Sequence, residues 1–195
     1  MPRSSLTGLT ALAAGAPVVF TGAWVLLGRL TDGYDQRADS ISALAGIGEP
    51  YAPAMVGAFV VQGLGQLAGA ALARERPAAP WVGSWLVVGG VGTLLAGVIR
   101  LPTDGGPAWL ATGHALAATA AFAGLHLGAL AGAFSDAVPQ RLRVAAVLSL
   151  AVALPHLLWF VTELGDGGPW FGYAEKMFTT VLLAWCAALA IWRRS

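Results

Sequence analysis

"LPHLLWFVTELGDGGPWFGYAEKMF", residues 154–178, is the end of one apolar run, a turn rich in glycine, and the start of a second run. Glycine accepts turn conformations and proline suits the opening of a new helix, so Gly167, Gly168 and Pro169 break the chain there. Each flanking run continues for about 20 mostly apolar residues, the length a helix needs to cross a hydrocarbon layer. The stretch therefore reads as the hairpin between two transmembrane helices. His156, Glu163 and Glu175 sit at the borders of those helices. An ionisable group at such a position needs a partner or a function.

The same pattern extends outward over the chain. Of 195 residues, 57% are hydrophobic and 11% charged, with mean hydropathy +0.70; a soluble domain carries about 25% charged residues. Helices are expected over about 6–28, 54–73, 81–100, 108–133, 144–162 and 174–192. They form a single all-α membrane domain, a six-transmembrane helix bundle. "RERPAAP" and "SDAVPQRLR" are short polar connections, and Pro80, Pro107 and Pro169 stand near helix starts. The first connection, residues 29–53, is too long for a plain turn. Within it "SISALAGI" suggests a short interfacial helix capped by Asp39 or Ser40. The first run has the small residues of a secretory signal, but from Leu6 to about Gly28 it is long enough to span and reads as a retained helix.

Six spans put both termini on one side, which collects Arg3, Arg74, Arg76, Arg141, Arg143, Arg193 and Arg194. The other side has Arg29, Arg37, Arg100 and Lys176, with most of the acids. Lys and Arg concentrate on cytoplasmic segments, so both termini are expected in the cytoplasm of a multi-pass plasma-membrane protein. A net charge of +1 without a basic face argues against nucleic acid as a partner. Cys186, the one cysteine, can form neither an internal disulfide nor a cysteine metal cluster and reads as a packing residue. "TDGYD", "TDGGPAW" and "GDGGPW" each mark an outer turn. They suggest three related helical hairpins, although the needs of a tight turn explain the same residues.

Helical spacing sorts the polar residues of the spans. His156, Trp159, Phe160 and Glu163 share one stripe of the fifth helix, with Glu163 at the outer end. His114 lies six residues into the fourth helix, about 9 Å below its outer end, beside small alanines. Glu175 and Thr179 share a stripe of the sixth helix, Gln62 and Gln66 one of the second, and Arg100 ends the third. Together with Trp24, Trp109, Trp170, Phe171 and Tyr173, these residues point to one polar, aromatic-rich layer near the outer face. Each also has a structural reading. Aromatics at helix ends form the interfacial belt, Arg100 and Glu175 suit an ion pair, and glutamines join helices. His126, lower and on another face, reads as a hydrogen-bonded packing residue. His114, His156 and an acid suggest a zinc triad, but no HExxH or HxxxH spacing supports it, so no metal is assigned.

"DSISAL", "RLPTDGGPAWLATGHAL" and "WFGYAEKMFTTVLLAW" resemble the three signature regions of the six-helix membrane proteins called domain of unknown function 998. That resemblance covers nearly the whole chain and singles out Ser42, Asp104, His114, Glu175 and Lys176. The chain departs from it at Ala43, where the family often has an acid.

A greasy cavity with acids at its mouth and aromatic walls suits an amphiphilic ligand. The most concrete reaction is acid-catalysed cyclisation of an isoprenoid chain, as in membrane terpene cyclases, without a cofactor. Glu175 or Glu163 is then the acid, His114 or His156 orients it, and Asp104 joins them by the resemblance. Trp159, Trp170, Phe160, Tyr173, Gln62, Arg100 and Ser42 are the candidate substrate-binding residues. The alternative is a non-enzymatic lipid binder, small transporter or subunit of a membrane complex, and a zinc lipid hydrolase ranks after both.

Overall fold

The computed structural model describes residues 3–75, 80–102, 106–166 and 168–192. In chain order its helices are α1 (Arg3–Leu30), a short 3₁₀ helix (Ile41–Ala45), α2 (Ala52–Arg74), α3 (Pro80–Val98), α4 (Ala108–Phe134), α5 (Gln140–Asp166) and α6 (Phe171–Ile191). All six α-helices have the length and hydropathy to cross a membrane. Proline sets three of the starts: Pro53 lies in the first turn of α2, Pro80 opens α3, and Pro107 precedes α4. At these positions the missing N–H leaves no bond unmade. α5 begins earlier than hydropathy suggests, because Leu142 and Arg143 both donate to the Pro139 carbonyl and bring Arg141 and Arg143 into its first turn. Charged residues are as helical as apolar ones once outside the hydrocarbon.

Consecutive helices are neighbours, and α6 closes the ring against α1 while also touching α2 and α4. α6 is accordingly the core helix, with 61% of its most apolar window buried, whereas α5 buries 22% and gives most of its surface to the surroundings. Helix association without a strong hydrophobic drive depends on close packing. Between α3 and α4 that packing is backbone on backbone: a Cβ added to Gly124 would overlap Gly89 and meet the Trp85 carbonyl. On the other side of α4 the Phe122 ring packs edge-on against Phe178 (4.9 Å) and Phe160 (5.7 Å), joining α4, α5 and α6.

The 3₁₀ helix of the long first connection packs into the bundle rather than lying on its surface. Ser40 caps it by accepting the Ala43 N–H (3.1 Å), as one of the two expected caps. Yet Ile41, Leu44 and Ala45 are only 1–2% exposed. The segment is a plug pushed into one end of the bundle. Its apolar residues face helices on all sides, which an interfacial helix with one polar face cannot do.

Candidate functional site

A buried helical turn leaves N–H groups unpaired at one end and carbonyls at the other. Two charged side chains meet those ends here. Glu175 Oε2 accepts the Ile41 N–H at 2.8 Å. Arg100 donates from Nε to the Ala45 carbonyl (2.8 Å) and from Nη2 to that of Gly46. A carboxyl oxygen at the amino end satisfies a free N–H, and a cation at the carboxyl end matches the dipole of the short helix. Arg100 is thus occupied by the plug, and the alternative of an Arg100–Glu175 ion pair does not hold.

Lys176, next to Glu175 on α6, secures the preceding turn. Its Nζ donates to the carbonyls of Gln36 (2.9 Å) and Asp39 (2.6 Å) and lies 5.8 Å from the Trp24 ring centroid and 5.2 Å from that of Tyr34. The Tyr173 N–H donates to the Arg37 carbonyl (2.8 Å), and Gly172 leaves room for the Asp39 carbonyl, which a Cβ there would overlap. Tyr34 completes the turn by donating to Asp39 O (3.2 Å) and Ser40 O (3.0 Å). Outside this cluster, backbone and side-chain hydrogen bonds from Arg37 hold the exposed Asp35 carboxyl below its ordinary value.

Burial, reinforced by the charges of Glu175, Asp39 and Asp35, pushes the Tyr34 phenol far above its ordinary value. The folded protein holds this proton more tightly than the unfolded chain, so the contribution is complete below about pH 10 and declines above it. Denaturation followed from pH 8 to 11 should therefore show stability falling at the alkaline end. Tyr34→Phe should flatten that fall, and identical profiles for the two proteins would contradict the assignment.

Beside the plug lies an outer cavity of about 300 Å³. Glu175, His114, Ser42 and Ser40 supply its polar lining, and Phe122, Phe160 and Phe171 its aromatic wall. Ala111, Ala115 and Thr119 of α4 and Leu164 of α5 are lining residues that are also exposed, so the mouth lies between these two helices. His114 is 5% exposed, and its Nδ1 is 2.7 Å from the Ile99 carbonyl. A neutral ring in this setting carries its proton on Nδ1 and leaves Nε2 as the acceptor. Phe160 and Phe171 stack at 4.5 Å.

A second group stands apart on the outer part of α5 and α6. Glu163 accepts from Trp159 Nε1 (3.0 Å) and from the Trp170 N–H (3.1 Å), which closes the turn between the helices. Trp159, Trp170 and Tyr173 lie about 6 Å apart around it, at 6.2, 6.0 and 5.9 Å, and His156 packs on Tyr173 at 6.0 Å. His156 Nδ1 bonds its own helix at the Val152 carbonyl. The single layer expected from the sequence is therefore two clusters. Glu175, His114, Ser42 and Phe160 line the outer cavity, and Gln62 joins them through an inner chamber. Glu163, His156, Trp159, Trp170, Tyr173 and Arg100 do not line either space. Asp104 lies outside the described residues.

Phe122 is a lining residue that sequence reasoning missed, although His114, Ala118 and Phe122 follow one another at intervals of four and line the cavity together. Among the described residues no group of three or more His, Cys, Asp or Glu has metal-binding proximity. A family model described as a protein of unknown function, DUF998, matches residues 13–192. No curated protein and no solved structure matches the chain.

Proposed function

The chain belongs to the DUF998 family, and from that premise we propose a multi-pass membrane protein that holds an amphiphilic, isoprenoid-like molecule in its outer cavity. One observation carries the reading: a single cavity of about 300 Å³ joins the Glu175 carboxyl, the His114 imidazole and the Ser42 hydroxyl to a wall of three phenyl rings. Acid-catalysed cyclisation is the reaction this lining suits. The Ile41 N–H holds Glu175 Oε2, so Oε1 is the oxygen assigned to donate a proton to an alkene or epoxide. The aromatic wall of Phe122, Phe160 and Phe171 stabilises the resulting cation. His114 Nε2 and Ser42 orient the polar end of the substrate.

The test is to reconstitute the protein in bilayers, offer plain and epoxidised prenyl substrates, and compare wild type with His114→Ala. Cyclised product from the wild type and a loss of about 10²-fold in the variant are expected, the scale of a lost acid–base or orienting group. Saturable prenyl binding without any turnover would instead leave a lipid binder.

We place both termini on the cytoplasmic side of the plasma membrane. Arg74, Arg141 and Arg143 at that end support it. At the other end Arg100 and Lys176 are already engaged by plug and loop carbonyls. In a Cys186→Ser background, a membrane-impermeant maleimide added to intact cells should label a cysteine at position 49 and spare one at 136. The reverse pattern would invert the topology.

A further inference from the structure

Ser42, Ala118, Phe122 and Glu175 line both the outer cavity and a second, smaller chamber of about 30 Å³. Most of its wall is apolar, yet three lining residues, Gln62, Gln66 and Thr179, each have a buried side-chain atom without a hydrogen-bond partner, and both glutamines also border a smaller space of about 10 Å³. The three residues are 2%, 3% and 6% exposed. Thr93 Oγ1 lies 2.8 Å from the Gly89 carbonyl and 3.0 Å from the Gln66 side-chain amide. With its one proton given to Gly89 it accepts from Gln66 Nε2 and leaves Oε1 over; with that proton given to Gln66 Oε1 it leaves Nε2 over. Buried polar atoms are almost always paired, with protein or with water. In either orientation Gln66 has one unpaired amide atom beside the Gln62 amide and the Thr179 hydroxyl, and an occupant that both donates and accepts suits all three. At about 10–15 Å³ per water, the chamber has room for roughly two.

We propose that the inner chamber is a water site and that its water is the second substrate of the reaction at Glu175. The second half of this statement rests on the cyclisation reading above. Glu175 borders both spaces, with the isoprenoid cavity on one side and the water on the other. Its carboxyl proton adds to an alkene carbon through the π pair, and ring closure moves the positive charge along the chain toward the chamber. The water oxygen bonds to that carbon, and the proton it then gives up returns to the Glu175 carboxylate. One water is consumed, nothing is oxidised or reduced, and the product is a cyclic alcohol rather than a cyclic alkene.

Two measurements test the two halves. In water-edited solid-state NMR of bilayer samples labelled at glutamine side chains, the two amides that disappear in Gln62→Leu and in Gln66→Leu should receive polarisation from water as quickly as that of the exposed Gln140. Slow transfer to both amides, as in a dry core, overturns the water site. In H₂¹⁸O a plain prenyl substrate should give an alcohol carrying one ¹⁸O. The Gln62→Leu/Gln66→Leu variant should form at least about tenfold less alcohol relative to alkene. An unlabelled or purely alkene product from the wild type overturns the substrate role. No turnover of any prenyl compound removes that role together with the cyclisation reading, while the NMR result still decides whether the chamber holds water.

Discussion

Glu175→Gln is expected to lower turnover by about 10²–10⁴-fold, the range of a lost general acid, while leaving the plug in place. Glutamine is nearly isosteric, and its carbonyl oxygen can still accept the Ile41 N–H that Oε2 accepts at 2.8 Å. What it cannot do is donate a carboxylic proton. Glu175→Ala differs on both counts, because it also strands a buried N–H, at a cost of about 1–3 kcal/mol. The two variants thus separate chemistry from architecture: both lose activity, and only the alanine should lower the unfolding midpoint in bilayer discs. Turnover by Glu175→Gln within tenfold of wild type would remove Glu175 as the acid.

Lys176→Met should release the loop that precedes the plug. Methionine keeps the length and the apolar stem but abandons the Gln36 and Asp39 carbonyls and the faces of Trp24 and Tyr34. Leaving the Gln36 carbonyl unpaired costs about 1–3 kcal/mol, and losing the charged bond to the Asp39 carbonyl, which keeps the Tyr34 hydroxyl, costs about 1.5–3 kcal/mol, partly offset because no ammonium has to be buried. A net local loss of about 2–4 kcal/mol corresponds to hydrogen exchange roughly 30- to 700-fold faster over residues 31–51. Exchange in the helices should be unaffected. Unchanged exchange in the loop would mean that Tyr34, Arg100 and Glu175 hold it without the lysine.

The six helices were legible because hydropathy over a run of chain is a one-dimensional property. The Ser40 cap, which spans four consecutive residues, was legible as one of two candidates with Asp39. The plug's burial was not legible, since "SISALAGI" has the same composition whether it floats on a surface or fills a bundle. What decides between them is Glu175 and Arg100, 134 and 55 residues away from the groups they bond. The stripe His156–Glu163 shows the related limit. Helical spacing placed those residues on one face of α5, but only the packing of α5 on α6 splits them, with His156, Trp159 and Glu163 toward Trp170 and Tyr173 and Phe160 in the cavity that Glu175 lines. Lys176 stood out through a resemblance, and its work on backbone carbonyls has no signature in spacing at all.

The mouth of the outer cavity lies between α4 and α5, below a plug pinned at both ends. On the reading proposed above, a guest entering by that opening between two helices comes sideways from the leaflet and never has to dissolve in the aqueous phase. The quantity that saturates such a protein is then a surface density, the mole fraction of guest among the surrounding lipids. Diluting it with inert phospholipid at constant bulk concentration should slow the reaction, whereas diluting the whole suspension with buffer should not.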